Sequence, residues 1–283
     1  MKISPIIQTQ PVIFNLLGDY VYPFGDRVWT SGLLDALQVV DVRERAARSA
    51  LSRIKQSGWL SSHREGRRSA YTLTAKTKAL LEEGTHRLFG PRPQDWDGCW
   101  HLVVYSLPQE LRTLRRLLRT RLSWLGYGML LPGTMVAAFP RREEVTALFR
   151  ELQVEPYVHF FSRSTLETTG GQEVVAHCWD LPELDRRYTC FIDRYRPSYA
   201  EFKRRKEQAG DLPHEESFIH RLWITYEYSS FPREDPNLPP ELLPLAWSGA
   251  QATELLMDYR ALLKDAAEGY ARSTMQVETV GGV

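Results

Sequence analysis

The stretch from Asp41 to Thr74 constrains the fold of this chain more than any other. Its first half places small and apolar residues at helical spacing, which predicts a helix over residues 42–57 with a buried face of Ala46, Ala47, Ala50, Leu51 and Ile54. Gly58 predicts the end of this helix, and Trp59 begins an extended segment. A turn signal at residues 65–66 precedes a strand-like run over residues 70–73. The stretch therefore predicts one helix followed by a β-hairpin.

Positive charge is concentrated in the same region. Between residues 41 and 78 there are ten basic and three acidic side chains, whereas the whole chain has a formal net charge of +1. A protein without a large net charge must concentrate positive charge where it meets a polyanion. A basic helix followed by a basic hairpin is the arrangement of a winged helix-turn-helix, a DNA-binding fold.

Two further helices are predicted ahead of this stretch. The first presents one apolar face, formed by Ile13, Leu16, Leu17 and Tyr20. The second is the segment LLDALQVV, residues 33–40. Thr30 or Ser31 is expected to cap the second helix and Asp41 the third, because side-chain oxygens accept the free amides of a first turn. The N-terminal DNA-binding domain is assigned to residues 1–90.

In this fold the third helix enters the major groove and the hairpin lies along the flanking backbone. The helix is expected to contact base edges and nearby phosphates through Arg45, Arg48, Ser49, Ser52 and Arg53. The hairpin is expected to contact phosphates or the minor groove through Arg64, Arg67 and Arg68. The alternative is a charged face that is only solvated. The succession of helix, glycine, strand, basic turn and strand favours DNA binding.

Residues 91–178 predict a middle domain with the element order β-α-β-β-α-β, which is typical of a ferredoxin-like domain. Its first helix is expected to bury five leucines, Leu111, Leu114, Leu117, Leu118 and Leu122. The opposite face of that helix is rich in arginine. We expect a solvated face or a contact with another domain there, with a second nucleic-acid surface as the alternative.

This middle segment resembles the CRISPR-associated adaptation nuclease subunit, whose first strand typically ends in VVYD. The corresponding run here is VVYSLP, with Ser106 where the metal-binding carboxylate would stand. A hydroxyl is a poor substitute for that ligand, because hard cations prefer anionic oxygens. The resemblance therefore implies the fold without the nuclease activity.

Residues 179–283 predict a helical C-terminal domain of opposite charge. From Asp211 onward there are twelve acidic and five basic side chains, so this segment is expected to avoid DNA. Helical lobes attached to DNA-binding domains commonly serve dimerisation or effector binding. Four aromatic residues are candidates to line an effector pocket, Trp223, Tyr226, Tyr228 and Trp247. Simple packing in a core is the alternative for them.

Several runs together resemble the PaaX family of transcriptional repressors over nearly the full chain. They are LLGDYV, ARSALSRIKQSGWL, REGRRSAYTLT, HLVVYSLP, LRRLLRTRLSWLGYGMLLPGTMVA and, most specifically, DPNLPPELLPLAWSG. The resemblance implies an α+β protein with a winged helix-turn-helix, a ferredoxin-like middle domain and a helical C-terminal domain. It also implies a homodimer that binds operator DNA of an aromatic catabolic operon. A small-molecule effector such as an aromatic acyl-CoA thioester would release it.

The remaining sequence features narrow the class of protein. No apolar run reaches the length of a membrane span, and three widely spaced cysteines suit the cytoplasm. The histidines and glycines form no catalytic, metal-binding or phosphate-binding motif, so no cofactor is expected and the chain is not expected to be an enzyme. The ligand-responsive repressor is the favoured hypothesis. The alternative is a metal-dependent nucleic-acid-processing enzyme built on the middle domain.

Overall fold

The computed structural model describes residues 8–90, 95–167 and 170–279, which pack as two compact units. The first unit contains residues 8–90, 191–228 and 252–279, and the second contains residues 95–167, 170–190 and 229–251. Each unit combines helices with a four-stranded antiparallel sheet. The predicted α+β class is therefore confirmed.

The first unit begins with the helices and the hairpin that the sequence predicts. The elements are α1 (Thr9–Tyr20), β1 (Arg27–Trp29), α2 (Thr30–Val39), α3 (Glu44–Gln56), β2 (Leu60–Glu65), β3 (Arg68–Leu73) and α4 (Ala75–Phe89). The hairpin turn contains Gly66 at φ +59°, in the left-handed region that favours glycine. Helices α1 to α3 bury their apolar faces in one core, which includes Leu16, Leu37 and Leu51.

The predicted caps of α2 and α3 are wrong. Helix α2 begins at Thr30 itself, with Trp29 in the capping position, and the Thr30 hydroxyl accepts a hydrogen bond from Ser69 on β3 at 3.0 Å. Asp41 lies at φ +63°, and helix α3 begins only at Glu44, with no side-chain cap. Neither the Thr30 hydroxyl nor the Asp41 carboxylate therefore accepts a hydrogen bond from the free amides of a first helical turn.

Two residues assigned to buried helix faces are exposed. Ala46 of α3 is exposed, while Ala47, Ala50, Leu51 and Ile54 are buried as predicted. The second lies in helix α5 (Arg112–Trp124), where Leu117 is 42% exposed beside the fully buried Leu118 and Leu122. Successive residues on a helix are rotated by about 100°. The neighbour of a buried residue can therefore point away from the core.

The C-terminal third adds α8 (Leu181–Ala209), α9 (His214–Tyr228), α10 (Ser248–Met275) and the short strand β8 (Val277–Glu278). Phe218 and Leu222 of α9, with Ala267 and Met275 of α10, belong to the same core as α1 to α3. Strand β8 pairs with β1 and completes the sheet in the order β2-β3-β1-β8. The division into three consecutive domains stays a prediction, and its boundary at residue 91 lies outside the described residues.

An ion pair joins α1 to α10 inside the first unit. Arg260 donates from both terminal nitrogens to the Asp19 carboxylate, at 2.7 and 2.9 Å, and both side chains are largely buried. Burial alone would raise the pKa of Asp19, but the guanidinium of Arg260 lowers it below the usual value. The pair therefore helps to hold the C-terminal helix against the N-terminal one.

The second unit contains β4 (Trp100–Tyr105), α5, β5 (Gly128–Leu131), β6 (Thr134–Ala137), α6 (Arg142–Leu152), β7 (Val158–Ser164) and α7 (Gly171–Cys178). From β4 to β7 the order of elements is β-α-β-β-α-β, and the sheet order is β5-β6-β4-β7. One apolar cluster lies with α5 and α6 and includes Val103, Leu118 and Leu148. No helix in the described ranges is both long enough and apolar enough to cross a bilayer.

Candidate nucleic-acid interface

Helix α3 has one buried and one polar face. All five of its candidate DNA contacts, Arg45, Arg48, Ser49, Ser52 and Arg53, are exposed. The buried face is made of small and branched residues that contact α1, α2 and β2. Packing therefore orients the helix so that its arginines and serines face solvent on one side.

The arginines of α3 are nearly free of internal partners. Arg48 makes an ion pair with Glu44 at 2.8 Å, one helical turn away, and both side chains are about 60% exposed. Such a pair contributes only about 0.3–0.5 kcal/mol, so it can exchange for a phosphate or a base at little cost. Within the described ranges, Arg45 and Arg53 have no ion-pair partner.

The hairpin lies next to this helix. Residues 62–69 are all exposed, which includes Arg64, Arg67 and Arg68. Partial burial raises the pKa of Tyr71 on β3, and the nearby guanidinium of Arg48 acts in the opposite direction. Arg48 of the helix therefore lies close enough to Tyr71 of the hairpin to act on it. The structure brings the two predicted sets of contacts into one unit.

The three hairpin arginines differ in their environments. Arg64 donates from Nε to the carbonyl of Gly66 at 3.1 Å, and the described residues hold no ion-pair partner for Arg67. Arg68 instead stacks its guanidinium 3.8 Å from the ring centroid of Trp29 and donates to the Gln276 side chain at 2.6 Å. Arg68 is thus held inside its own unit, while Arg67 is available to a phosphate.

Three acidic residues of this region, Asp26, Glu44 and Glu65, are paired with basic ones. Glu65 at the hairpin turn receives Arg27 at 2.5 Å, and Asp26 receives Lys78 at 2.9 Å. Glu44 is the partner of Arg48 described above. Neutralised carboxylates repel an approaching phosphate less, so the excess of arginine dominates this surface.

The four candidate effector residues are divided between the two units. Trp223 and Tyr226 pack edge to face at 5.4 Å within the core region of the first unit. Tyr228 is fully buried and hydrogen-bonded with Thr253 at 2.7 Å. Trp247 belongs to the second unit, where its ring packs edge to face on the ring of Tyr188, with 5.6 Å between the ring centroids.

Two cavities lie among the described residues of the second unit. The larger has a volume of about 560 Å³ and is lined mainly by residues 172–182 and Pro244. The smaller, of about 160 Å³, lies beside Leu184 and Arg187. In the part of the chain that the structure describes, no three His, Cys, Asp or Glu side chains are placed to hold a metal ion. Ser106 directly follows β4, at the position expected from the sequence.

Sequence reasoning missed the C-terminal contacts of this surface. Gln276 and Glu278 contact Arg68 and Trp29, although more than two hundred residues separate them along the chain. A two-residue strand has no periodicity to detect, and the acidic balance of the segment suggested distance from the DNA-binding region. Nothing in the local sequence indicates this pairing.

Comparisons with known proteins cover nearly the whole chain. Family models match three consecutive segments: PaaX-like protein over residues 8–77, PaaX protein central Cas2-like domain over 93–175, and PaaX-like protein C-terminal domain over 179–273. The transcriptional repressor PaaX of Escherichia coli (strain K12) is 31% identical over 250 residues, which is 87% of this chain and 78% of that protein. A solved structure, the uncharacterized protein Rv0674 from Mycobacterium tuberculosis, has a similar fold. Its TM-score is 0.58 at 19% identity, covering 92% of this chain and 96% of that one.

Proposed function

Because this chain belongs to the PaaX family, we propose that it is a DNA-binding transcriptional repressor of phenylacetate or related aromatic catabolism. Its family is one of regulators rather than enzymes. The observation that carries the proposal is the exposed basic face of α3 beside the basic hairpin β2–β3. This surface concentrates the positive charge of a chain whose net charge is only +1.

The finer fold assignments are part of the proposal. A third helix followed by an antiparallel hairpin supports a winged helix-turn-helix in the first unit. In the second unit, the sheet order β5-β6-β4-β7 with two intervening helices supports a ferredoxin-like domain. The family description of a central Cas2-like domain agrees with the second assignment.

On this proposal α3 enters the major groove, which is wide enough to admit a helix and displays a distinct pattern for each base pair. Arg45, Arg48, Ser49, Ser52 and Arg53 contact base edges and nearby phosphates. Arg64 and Arg67 neutralise backbone phosphates, which gives affinity without sequence information. The two sets together provide specificity from the helix and general attraction from the hairpin.

Release by an effector is the second part of the proposal. An aromatic acyl-CoA thioester must bind more tightly to the conformation that fits DNA poorly, since a ligand with equal affinity for both shifts nothing. The predicted effector residues, Trp223, Tyr226, Tyr228 and Trp247, are the first positions to test. Tyr226 and Trp247 are half-buried, whereas Trp223 and Tyr228 are buried, so the first two are the more accessible to a ligand.

A homodimer is the proposed assembly. Two recognition helices related by two-fold symmetry would contact half-sites separated by about one helical turn of DNA, roughly 34–36 Å. Light scattering of the free chain, followed by footprinting of the complex, tests this directly. A monomer that protects a single, non-symmetric site would contradict it.

The central experiment is selection of DNA. The chain is incubated with a random-sequence duplex library, and the retained duplexes are sequenced. The affinity of the chain for the selected duplex is then measured by fluorescence anisotropy at several salt concentrations. Retention of one palindromic sequence, with affinity that falls steeply as salt rises, is the expected result. Phenylacetyl-CoA and free phenylacetate are then titrated against the complex, and only an aromatic thioester is expected to release it.

The metal-dependent enzyme is the weaker candidate. The family comparisons do not support it, and Ser106 stands where the resembling nuclease family carries its acidic ligand. The same selected duplex can be incubated with Mg²⁺ or Mn²⁺. Cleavage that survives alanine substitution of Arg48 and Arg67 would favour the enzyme over the repressor.

A further inference from the structure

The C-terminal end of the described chain is built into the sheet that carries the hairpin. Strand β8 pairs antiparallel with β1, with Val277 opposite Val28 and Glu278 opposite Arg27. The amide of Asp26 donates to the Glu278 carbonyl at 3.1 Å. Strand β1 in turn pairs with β3 of the hairpin. The residues after α10 are therefore two strands away from the hairpin's turn.

Side chains reinforce this connection. The Trp29 indole donates to the Glu278 carboxylate at 2.9 Å, and the Arg68 guanidinium donates to the Gln276 side chain at 2.6 Å. Arg68 also stacks on the same Trp29 ring, at 3.8 Å from its centroid. A guanidinium over an indole face is attracted by the ring quadrupole. The four side chains thus join the C-terminal strand, β1 and the first residue of β3.

The backbone fits closely at this junction. A β-carbon at Gly25 would lie 2.3 Å from the carbonyl oxygen of Glu278, and one at Gly32 would lie 2.3 Å from that of Thr274. Only glycine leaves room for such an approach. Gln276 adopts φ +50°, which turns the chain from the end of α10 into β8. The C-terminal segment is therefore seated in a shaped site.

We propose that residues 276–278 form a strap that positions the hairpin for DNA, with Gln276 and Glu278 as positioning residues. Arg68 is the hairpin residue that the strap holds, and Arg67 is the phosphate contact. This inference rests on the proposed DNA-binding function. It assigns to the acidic C-terminal end a part in DNA binding that involves no contact with DNA.

The physical reason lies in the edge of the sheet that the strap covers. Without β8 the sheet would end at β1, which has only three residues. The added strand, with its contacts to Trp29 and Arg68, restricts the motion of β1 and of the β3 strand paired with it. A loop already held in its bound conformation loses less conformational entropy on binding. The strap therefore raises DNA affinity by reducing the number of conformations open to the free hairpin.

The test uses the full-length chain with single substitutions at exposed positions. Gln276→Ala removes the acceptor of Arg68 without changing the charge. Because alanine, like glutamine, has a β-carbon, the backbone strain at the positive φ of position 276 stays the same. Glu278→Ala removes the acceptor of Trp29, whereas Glu278→Gln retains a side-chain oxygen for it. Gln251→Ala and Glu254→Ala are matched controls, since both are exposed residues of α10.

Two quantities are measured for each variant. Amide hydrogen exchange in the free protein reports the opening of residues 60–73, and anisotropy titration of the selected duplex reports affinity over a range of salt. Gln276→Ala and Glu278→Ala are expected to speed exchange of the hairpin and to weaken binding about threefold to tenfold. The slope of affinity against salt should stay unchanged, because no phosphate contact is lost. Glu278→Gln and both controls should behave like the unsubstituted chain.

Three results would overturn the inference. They are unchanged hairpin exchange in both alanine variants, faster exchange with unchanged affinity, and a fall in the salt slope by about one as expected for a lost phosphate contact. Failure of the unsubstituted chain to retain any duplex contradicts the DNA-binding proposal itself. Normal binding by the unsubstituted chain and by both alanine variants contradicts only the strap.

Discussion

Helices α3 and α5 are made of similar residues but offer their arginines to different partners. Each has 13 residues, with buried aliphatic positions on one side and arginines on the other. By composition α5 is the more basic, since it carries five arginines and no acidic residue, whereas α3 carries three arginines, one lysine and Glu44. Charge alone would therefore select α5 as the nucleic-acid helix.

The neighbours of the two helices favour α3 instead. In α5, Arg115 donates to the Leu107 carbonyl at 2.5 Å, and Arg121 makes a two-pronged contact with Glu151 at 2.8 and 3.1 Å. Its exposed side also carries Leu117 and Trp124, each 42% exposed. In α3, Arg48 pairs only with Glu44 of the same helix, and within the described residues Arg45 and Arg53 have no ion-pair partner. The exposed face of α3 also lies next to a second basic element, the hairpin. A DNA-binding surface thus depends on which arginines remain available and on what lies beside them.

The largest effect is expected from the exposed face of α3. The double substitution Arg45→Ala, Arg48→Ala should weaken binding of the selected duplex by about 100-fold or more, because each contact to a base is worth roughly 1–3 kcal/mol. Anisotropy titration at fixed salt measures the change. Circular dichroism should show an intact fold, since both residues are exposed. If this variant lost less DNA affinity than a double alanine variant of α5, α3 would not be the main DNA-binding helix.

A smaller effect is expected from the hairpin. Arg67→Ala should weaken binding roughly tenfold and reduce the slope of log affinity against log salt by about one, because one phosphate contact disappears. Arg67→Lys, which keeps the charge, is the matched control and should retain the slope. An unchanged slope in Arg67→Ala would show that this arginine does not contact a phosphate.

The sheets beside the two helices should also differ in their response to pH. His63 on β2 is exposed, whereas His101 on β4 is buried and, among the described residues, neither ring nitrogen has a hydrogen-bond partner. Burial is the main cause that lowers the pKa of His101, with Arg163 and Arg142 acting in the same direction and Asp97 opposing them. The unfolded chain takes up this proton below about pH 6.5, and the folded chain does so only at lower pH.

The free energy of unfolding should therefore fall as pH drops below about 6.5, where the unfolded state binds more protons. Urea denaturation at about pH 7.5 and about pH 5.5 measures this fall. His101→Phe should reduce it, with a remainder from His220, whose pKa is also lowered by burial. His63→Gln, at an exposed position, is the control for the substitution of a histidine. An equal fall in the His101→Phe variant and the unsubstituted chain would exclude His101 as a cause.

The smallest effect is expected from α5 itself. Arg116→Ala with Arg119→Ala removes two exposed arginines from the more basic helix. DNA affinity should change less than about twofold, and the free energy of unfolding by less than about 0.5 kcal/mol, as is usual for surface substitutions. Titration with the selected duplex measures the DNA affinity, and urea denaturation measures the free energy of unfolding. A loss approaching that of the α3 variant would make α5 a second nucleic-acid surface.

Much of the local structure could be predicted from residue patterns. The third helix, its end near Gly58 and the hairpin turn at residues 65–66 all follow from spacing and turn chemistry. The caps could not, because Thr30 hydrogen-bonds with Ser69 of a distant strand instead of its own helix. The exposure of Leu117 could not be predicted either. A leucine at the edge of the apolar face of a helix can be buried or exposed, depending on what packs against that face.

The DNA contacts stay a prediction, and the structure adds the environment of each candidate side chain. Exposure of the α3 residues follows from the buried face opposite them, which the sequence shows. The separate environments of Arg67 and Arg68 do not, because the two are consecutive arginines with the same chemistry. Only the folded chain brings Trp29 and Gln276 to Arg68 and leaves Arg67 without an ion-pair partner within the described residues.

The sequence by itself determined the elements whose physical causes are local: the periodicity of α3, the glycine turn of the hairpin and the concentration of positive charge in residues 41–78. The tertiary structure alone decided how the acidic C-terminal end is used. Strand β8 pairs with β1 because α10 packs into the core of α1 to α3 and ends beside the sheet. A contact between residues so far apart depends on the packing of everything between them, and no local pattern records it.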